Sequence, residues 1–295
     1  MFPVLSRLIA LLPLASLGVL LSGCPNVPAD PLPSPQGTID LALALGVDDP
    51  QVIGVTVDPD DGTRYLLDRA AGLFKLADDG TATLLRGVET FPTPAVLPRS
   101  DWTDFVSLGH DQFAITALSD GYLLDLEADT LTEYFCYVPE DMGNPDDGQP
   151  VLDQLTNSVT LDPNSNVLYA QPITFAVDTS ASVVSQAASI GAYSLDGGQP
   201  IAWFDLEDID FLAGGSAVLA DGTLLLGRGS EILRFDPETE SGLVSVGVLP
   251  TREGRTHLQR KQPSIDGLAI DSTRGELLIV EGTTDELIRI SLSDL

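Results

Sequence analysis

Lysine is almost absent from this chain: Lys75 and Lys261 are the only two in 295 residues. Basic residues number 14 against 44 acidic ones, and the formal net charge is −30. A surface of that sign repels phosphate backbones, so nucleic acid is excluded as a partner. Histidine is as scarce. His110 and His257 stand alone, with no motif around either that would pair a base with a nucleophile. Cysteine is limited to Cys24 and Cys136, too few for a disulfide framework. Cys136 lies in the apolar run 134–138 and reads as a buried thiol. No stretch has the periodicity of a long amphipathic helix. The longest apolar run, 8–21, is interrupted by Pro13 and falls short of the roughly 20 residues that a spanning helix needs.

That run has another reading. Arg7 precedes it and small residues follow it, the order of a secretory signal over residues 1–23. It ends in Leu21-Ser22-Gly23-Cys24, which resembles the bacterial lipobox. The resemblance implies that Cys24 takes a diacylglycerol and becomes the first residue of the mature protein. Two or three acyl chains then anchor it stably where one would be marginal. Pro25 is not the aspartate that retains enteric lipoproteins at the inner membrane, so the expected address is the bacterial cell envelope, at the outer membrane. Residues 24–37 are rich in proline and read as an extended tether.

The rest, 38–295, is repetitive. Hydrophobic residues make up 43% and charged residues 20%, enough for a sizeable core. The run TIDLALAL at 38–45 alternates as one strand without a hairpin partner. Four alternating runs follow at 52–57, 64–68, 72–76 and 81–85, joined by Asp/Gly-rich turns. A second unit has runs at 105–108, 112–118, 121–126 and 131–138. A third spans 154–206 and carries an insertion at 178–188. A fourth covers 211–249. A fifth starts near Pro263 and ends with three runs only. Self-similarity at this period resembles the blades of NHL, SMP-30 and YVTN-like β-propellers. It implies an all-β chain with a single propeller of five four-stranded blades. The missing fourth strand of the last blade would be supplied by 38–45, closing the ring. Six blades or a β-sandwich are the structural alternatives.

Aligning the blades on Asp58, Gly109, Asp162, Asp221 and Asp271 places Ile53, Asp104, Asn157, Ser216 and Asp266 in one register, five residues earlier. Asp104, Asn157 and Asp266 are oxygen ligands of the kind Ca²⁺ takes. The resemblance to SMP-30-type lactonases implies a divalent-metal site near such strand starts, although Ile53 stands where that family has Glu. The alternative is that these groups bond strand-edge amides and water along the channel. One basic stretch interrupts the acidity: Arg252, Arg255, Arg260 and Lys261 beside His257. It is the candidate for an anionic ligand or partner.

These features point to a membrane-anchored lipoprotein whose propeller binds a protein or small-molecule ligand. A calcium-dependent SMP-30/gluconolactonase-like hydrolase and a passive structural surface protein are the alternatives. The anchor is directly testable. Cys24→Ser is expected to abolish labelling by a radioactive fatty acid and to move the protein into the soluble fraction. Unchanged membrane fractionation would remove the lipoprotein reading.

Overall fold

The computed structural model describes residues 29–91, 102–117, 120–136, 151–177, 183–206, 214–239, 241–250 and 263–295. Alternating apolar runs separated by Asp/Gly turns form antiparallel hairpins, because a period-two pattern gives each strand two distinct faces. Five four-stranded sheets result. Blade 1 holds β2 (Val52–Val57), β3 (Arg64–Asp68), β4 (Gly72–Leu76) and β5 (Ala82–Gly87). Blade 2 holds β6 (Trp102–Gly109), β7 (Gln112–Ala117), β8 (Asp120–Asp125) and β9 (Thr130–Cys136). Blade 3 holds β10 (Val151–Asp162), β11 (Val167–Val177), β12 (Val183–Ser194) and β13 (Pro200–Asp205). Blade 4 holds β14 (Ser216–Val218), β15 (Leu224–Arg228), β16 (Glu231–Asp236) and β17 (Ser241–Val248). Blade 5 holds β18 (Ile265–Asp271), β19 (Glu276–Glu281) and β20 (Glu286–Ser291), with β1 (Gly37–Asp40) as its outer strand.

The first strand of each blade touches the first strands of both neighbours, so the sheets close into a ring. The chain is a five-bladed β-propeller. Its core is divided into five apolar clusters, one between each pair of blades. Phe105, Phe113 and Trp102 fill the contact of blades 1 and 2, whereas Leu277, Ile279 and Ile232 fill that of blades 4 and 5.

Closure follows the expected route but with a shorter strand. Gly37 to Asp40 pair antiparallel with Arg289 to Glu286 of β20. The expected strand 38–45 stops there. Leu41–Leu45 forms a short helix, α1, whose first turn is capped by Asp40 Oδ1 accepting from the Leu43 amide at 3.0 Å. Gly46 ends it in the left-handed region, at φ 68°. The alternation of LALAL serves a helix as well as a strand, since Leu41 and Leu45 stand four apart and are both buried. The insertion expected at 178–188 falls in the β11–β12 hairpin. β11 continues to Val177 and β12 begins at Val183, so much of that segment extends the hairpin.

The tether departs further from expectation. Leu32 is 6% exposed and belongs to the core of blades 4 and 5. Its amide donates to Val248 O at 2.8 Å, and the Val248 amide donates to Asp30 O at 3.0 Å. Gly247 makes the room: a Cβ there would stand 3.0 Å from both Asp30 O and Leu32 Cδ2. Residues 30–32 therefore form a strap on the rim of blade 4.

Blades 5 and 1 are also joined by charge. Arg64, 1% exposed, donates to Asp271 at 2.6 Å and to Glu276 at 2.5 Å. Arg274 bonds Asp271 at 2.9 Å, Asp78 at 2.7 Å and Gly62 O at 3.1 Å. Aspartates also close the turn after the first strand in four blades. Asp58, Asp162 and Asp221 accept from amides two residues on, at 2.9, 2.9 and 3.0 Å, and Asp271 accepts from the Arg274 amide at 3.0 Å.

Deleting residues 29–45 is expected to lower stability by several kcal/mol. Leu32, Leu41 and Leu45 would each lose burial worth about 1.5–3 kcal/mol. A thermal melt of the truncated domain that coincides with the parent would show that the ring does not depend on this closure.

Candidate functional site: the propeller axis

The five first strands converge on the axis, and four of them are irregular, three near their starts and β10 near its middle. Register shifts fall at Ile53 in β2, Thr103 in β6, Asn157 and Ser158 in β10, and Asp266 in β18. Beyond the shift come Gly54, Asp104 and Gly267. Asp104 thus stands level with two glycines, one position beyond the register expected from the sequence. The alignment on Gly109 causes the offset, because a second shift lies between Ser107 and Gly109.

Side chains are almost excluded at this level. A Cβ on Gly267 would meet Gly54 Cα at 2.8 Å, and one on Gly215 would meet the Leu268 amide nitrogen at 2.1 Å. A Cβ on Gly54 would meet Asp104 Oδ1 at 2.3 Å. The space left open is filled by the Asp104 carboxyl, 3% exposed. Its Oδ1 accepts from the Phe105 amide at 2.8 Å. Its Oδ2 accepts from Ser158 Oγ at 2.7 Å and from the Val159 amide at 3.1 Å. Ser158 Oγ in turn lies 2.6 Å from Ser216 Oγ. Asp104, Ser158 and Ser216 are all buried, and together they plug the axis across blades 2, 3 and 4.

On one side of the plug lies a cavity of ≈ 570 Å³. Ser216 belongs to its lining, with apolar walls from Val55, Phe105, Val159 and Leu268 and hydroxyls from Ser107 and Thr160. It opens among the turns that follow the first strands, where Asp58 and Asp221 border it. No lysine, arginine or histidine lines it among the described residues. The site thus opens at the ends of the first strands, whereas sequence reasoning placed it at their starts. Ser216 stood in the aligned register in the sequence, and Ser158 one position beyond Asn157. Their joint bond to Asp104 depends on the ring.

The sequence-derived candidates do not converge. Asp104 turns to blade 3. Asp266 accepts from Ser264 Oγ at 2.8 Å and lies against Gly282, at the end of β19. Asn157 is half-buried at the β10 irregularity. Among the described residues, no three His, Cys, Asp or Glu side chains come together as a metal ion would require. Cys24 and the basic stretch containing Arg252, Arg255, His257, Arg260 and Lys261 lie outside the described residues.

Burial pushes the Asp104 carboxyl up to about 8, against bonds from Ser158, Phe105 and Val159 that favour its charged form. Asp266 is pushed up to about 6, chiefly by burial. The Ser264 hydroxyl opposes that rise, and the nearby Glu281 charge adds to it.

No family model matches the chain, and no curated protein matches it. Among solved structures, it is similar to a gluconolactonase of Xanthomonas campestris, at 15% identity and a TM-score of 0.47. That match covers 81% of this chain and 71% of the other. It is also similar to the extracellular domain of a hybrid two-component system of B. thetaiotaomicron, at 14% identity and a TM-score of 0.38. There it covers 83% of this chain and spans 26% of the other. At that distance, neither likeness bears on the chemistry of this chain.

The raised carboxyls set a pH dependence. A group whose folded pKa exceeds its unfolded value near 3.8 stabilises the fold at low pH and loses that contribution as pH rises through the folded value. Stability is therefore expected to fall between about pH 4 and 8, with the Asp266 share gone by about 6. Asp104→Asn should flatten the upper part of that fall. It also sets an amide NH₂ against a backbone donor, costing about 1–3 kcal/mol at pH 5. Melting curves of parent and variant at pH 5, 6.5 and 8 check both effects. Parallel curves would show that Asp104 does not titrate in this range.

Proposed function

We propose that this protein is a cell-envelope lipoprotein whose propeller binds a small ligand in the axial cavity. One observation carries the reading. The axis is closed by the Asp104–Ser158–Ser216 plug, so the ≈ 570 Å³ space is a blind cup within the size range of small-molecule sites. Apolar walls would hold a ligand body. The hydroxyls of Ser107, Thr160 and Ser216 supply a few polar groups, as orienting contacts do in such sites. Asp58 at the border, with no basic side chain in the described lining, favours a neutral or cationic ligand over an anion, while Asp221 there is paired with Arg234 at 2.8 Å.

The LSGC motif supports the anchor, and a net charge of −30 supports a soluble body exposed to water. The hydrolase alternative lacks such support, since Asp104 gives both oxygens to donors of the fold.

Choline, glucose and acetate serve as cationic, neutral and anionic probes in a thermal-shift and NMR titration of the mature protein. Binding is expected for choline or glucose and not for acetate. Ala220→Trp, at the exposed edge of the cavity, should abolish it without lowering the melting temperature. Binding that survives Ala220→Trp, or binding of acetate alone, would overturn the assignment of the cup.

A further inference from the structure

The first strands wall the cup, and they meet it with backbone as well as side chains. Each is terminal in its sheet, so one of its edges has no neighbouring strand and faces the axis. Along such an edge, alternate residues bond the second strand, and those between them turn N–H and C=O outward. The Asp58 amide donates to Thr63 O at 2.7 Å. This gives the bonded places of β2 to Thr56 and Asp58 and turns Val55 and Val57 to the axis. In β14, the Leu219 amide donates to Thr223 O at 2.8 Å and the Gly227 amide to Gly215 O at 2.9 Å. Ser216 and Val218 are thereby turned outward. β18 keeps the spacing of β2, with Asp271 in the place of Asp58, so Leu268 and Ile270 turn the same way. All of these residues line the cavity. The side chains of Val55 and Leu268 are packed between blades, so their share of the wall is largely main chain.

These edges are short of free donors. In blade 2, the Phe105 amide donates to Asp104 at 2.8 Å and the Ser107 amide to Thr56 Oγ1 at 2.9 Å. In blade 3, the Val159 amide donates to Asp104 at 3.1 Å. The hydroxyls nearest the axis are committed as well. Ser107 Oγ donates to Asp58 at 2.9 Å, and Ser158 Oγ donates to Asp104 at 2.7 Å. The fold thus consumes amides and hydroxyls, while the carbonyls of the same edges face the cavity. The balance of the wall lies toward acceptors, and Asp58 adds negative charge at its border. Converging carbonyl dipoles attract cations. A space of ≈ 570 Å³ suits an organic cation better than a bare ion.

Resting on the cup assigned above, we propose that its ligand is a small primary ammonium, held by strand-edge carbonyls of several blades. Such a group has N–H donors and no acceptor, the complement of the wall. A quaternary ammonium has the same charge and nothing to donate, so it leaves the carbonyls unpaired. A carboxylate would set acceptors against acceptors.

Ethanolamine and choline form a matched pair, differing only in N–H against N–CH₃. NMR titrations of the mature protein compare them, with glucose alongside. Ethanolamine is expected to bind about tenfold tighter than choline, the factor that one charge-assisted bond supplies. Thr56→Val uncaps the Ser107 amide and turns a donor into the cup, which should narrow that ratio by weakening ethanolamine. If the variant does not fold, the comparison in the parent protein decides alone. Choline binding as tightly as ethanolamine, glucose binding where ethanolamine does not, or a ratio unmoved by a folded Thr56→Val overturns the ammonium assignment and leaves the cup standing. Displacement of ethanolamine by equimolar potassium gives the carbonyls to an inorganic ion and overturns it too. If ethanolamine, choline and glucose all fail to bind, the cup itself falls, and the ammonium assignment with it.

Discussion

Everything in this molecule is built around the absence of Cβ atoms at its axis. Five strands can meet only if most of them bring no side chain to the meeting point. Gly54, Gly215 and Gly267 meet that condition by approaching one another and their neighbours' backbones. The one bulky exception, Asp104, lies in the space that Gly54 leaves open. A carboxyl taken out of water must be bonded or neutralised. Here the Phe105 and Val159 amides and the Ser158 hydroxyl bond it, and burial also raises its pKa. Crowding thus explains a buried acid, a hydroxyl chain and a closed axis.

Holding the ring shut needs more than crowding. The seam between blades 5 and 1 carries two devices of different physical kind. One is the backbone ladder of β1 on β20, which joins the two ends of the chain in one sheet. The other is the buried Arg64 group with Asp271 and Glu276. A buried ion pair is weak evidence of net stability, because desolvation offsets much of its attraction. Removing one member is another matter, since it leaves a buried charge alone. The pair therefore acts more as a lock on the register of the two blades than as a source of stability.

Much of this was legible in the sequence. Alternation and Asp/Gly turns set the strands, and the count of runs set the blades and the closing strand. Two of the axial glycines, Gly54 and Gly267, stand just after the aligned register positions Ile53 and Asp266. What escaped was what only the ring creates. The second irregularity in β6 shifted Asp104 by one place, and no local pattern in the sequence marks it. Leu32 looked like part of a proline-rich linker, because its burial depends on a glycine more than two hundred residues later. Arg64 sat in an ordinary strand run, and its partners arrive from the last blade. Helix α1 was missed because five alternating Leu and Ala residues fit both periods, and the decision lay with Asp40 and Gly46 at its ends.

The turn aspartates have a consequence for how the acidity should be read. A net charge of −30 suggests a shell of free carboxylates whose mutual repulsion salt would relieve. Yet Asp58, Asp162, Asp221 and Asp271 are each engaged with an amide two or three residues along the chain, as are Asp79 and Asp236 in other turns. These are short-range bonds inside single loops, and mobile ions screen them far less than they screen distant charges. Added salt would therefore quiet the long-range field around the molecule while leaving its hairpins intact. Three of these acids, Asp58, Asp162 and Asp271, are buried, so part of the acidity serves the hairpins and not the outer field.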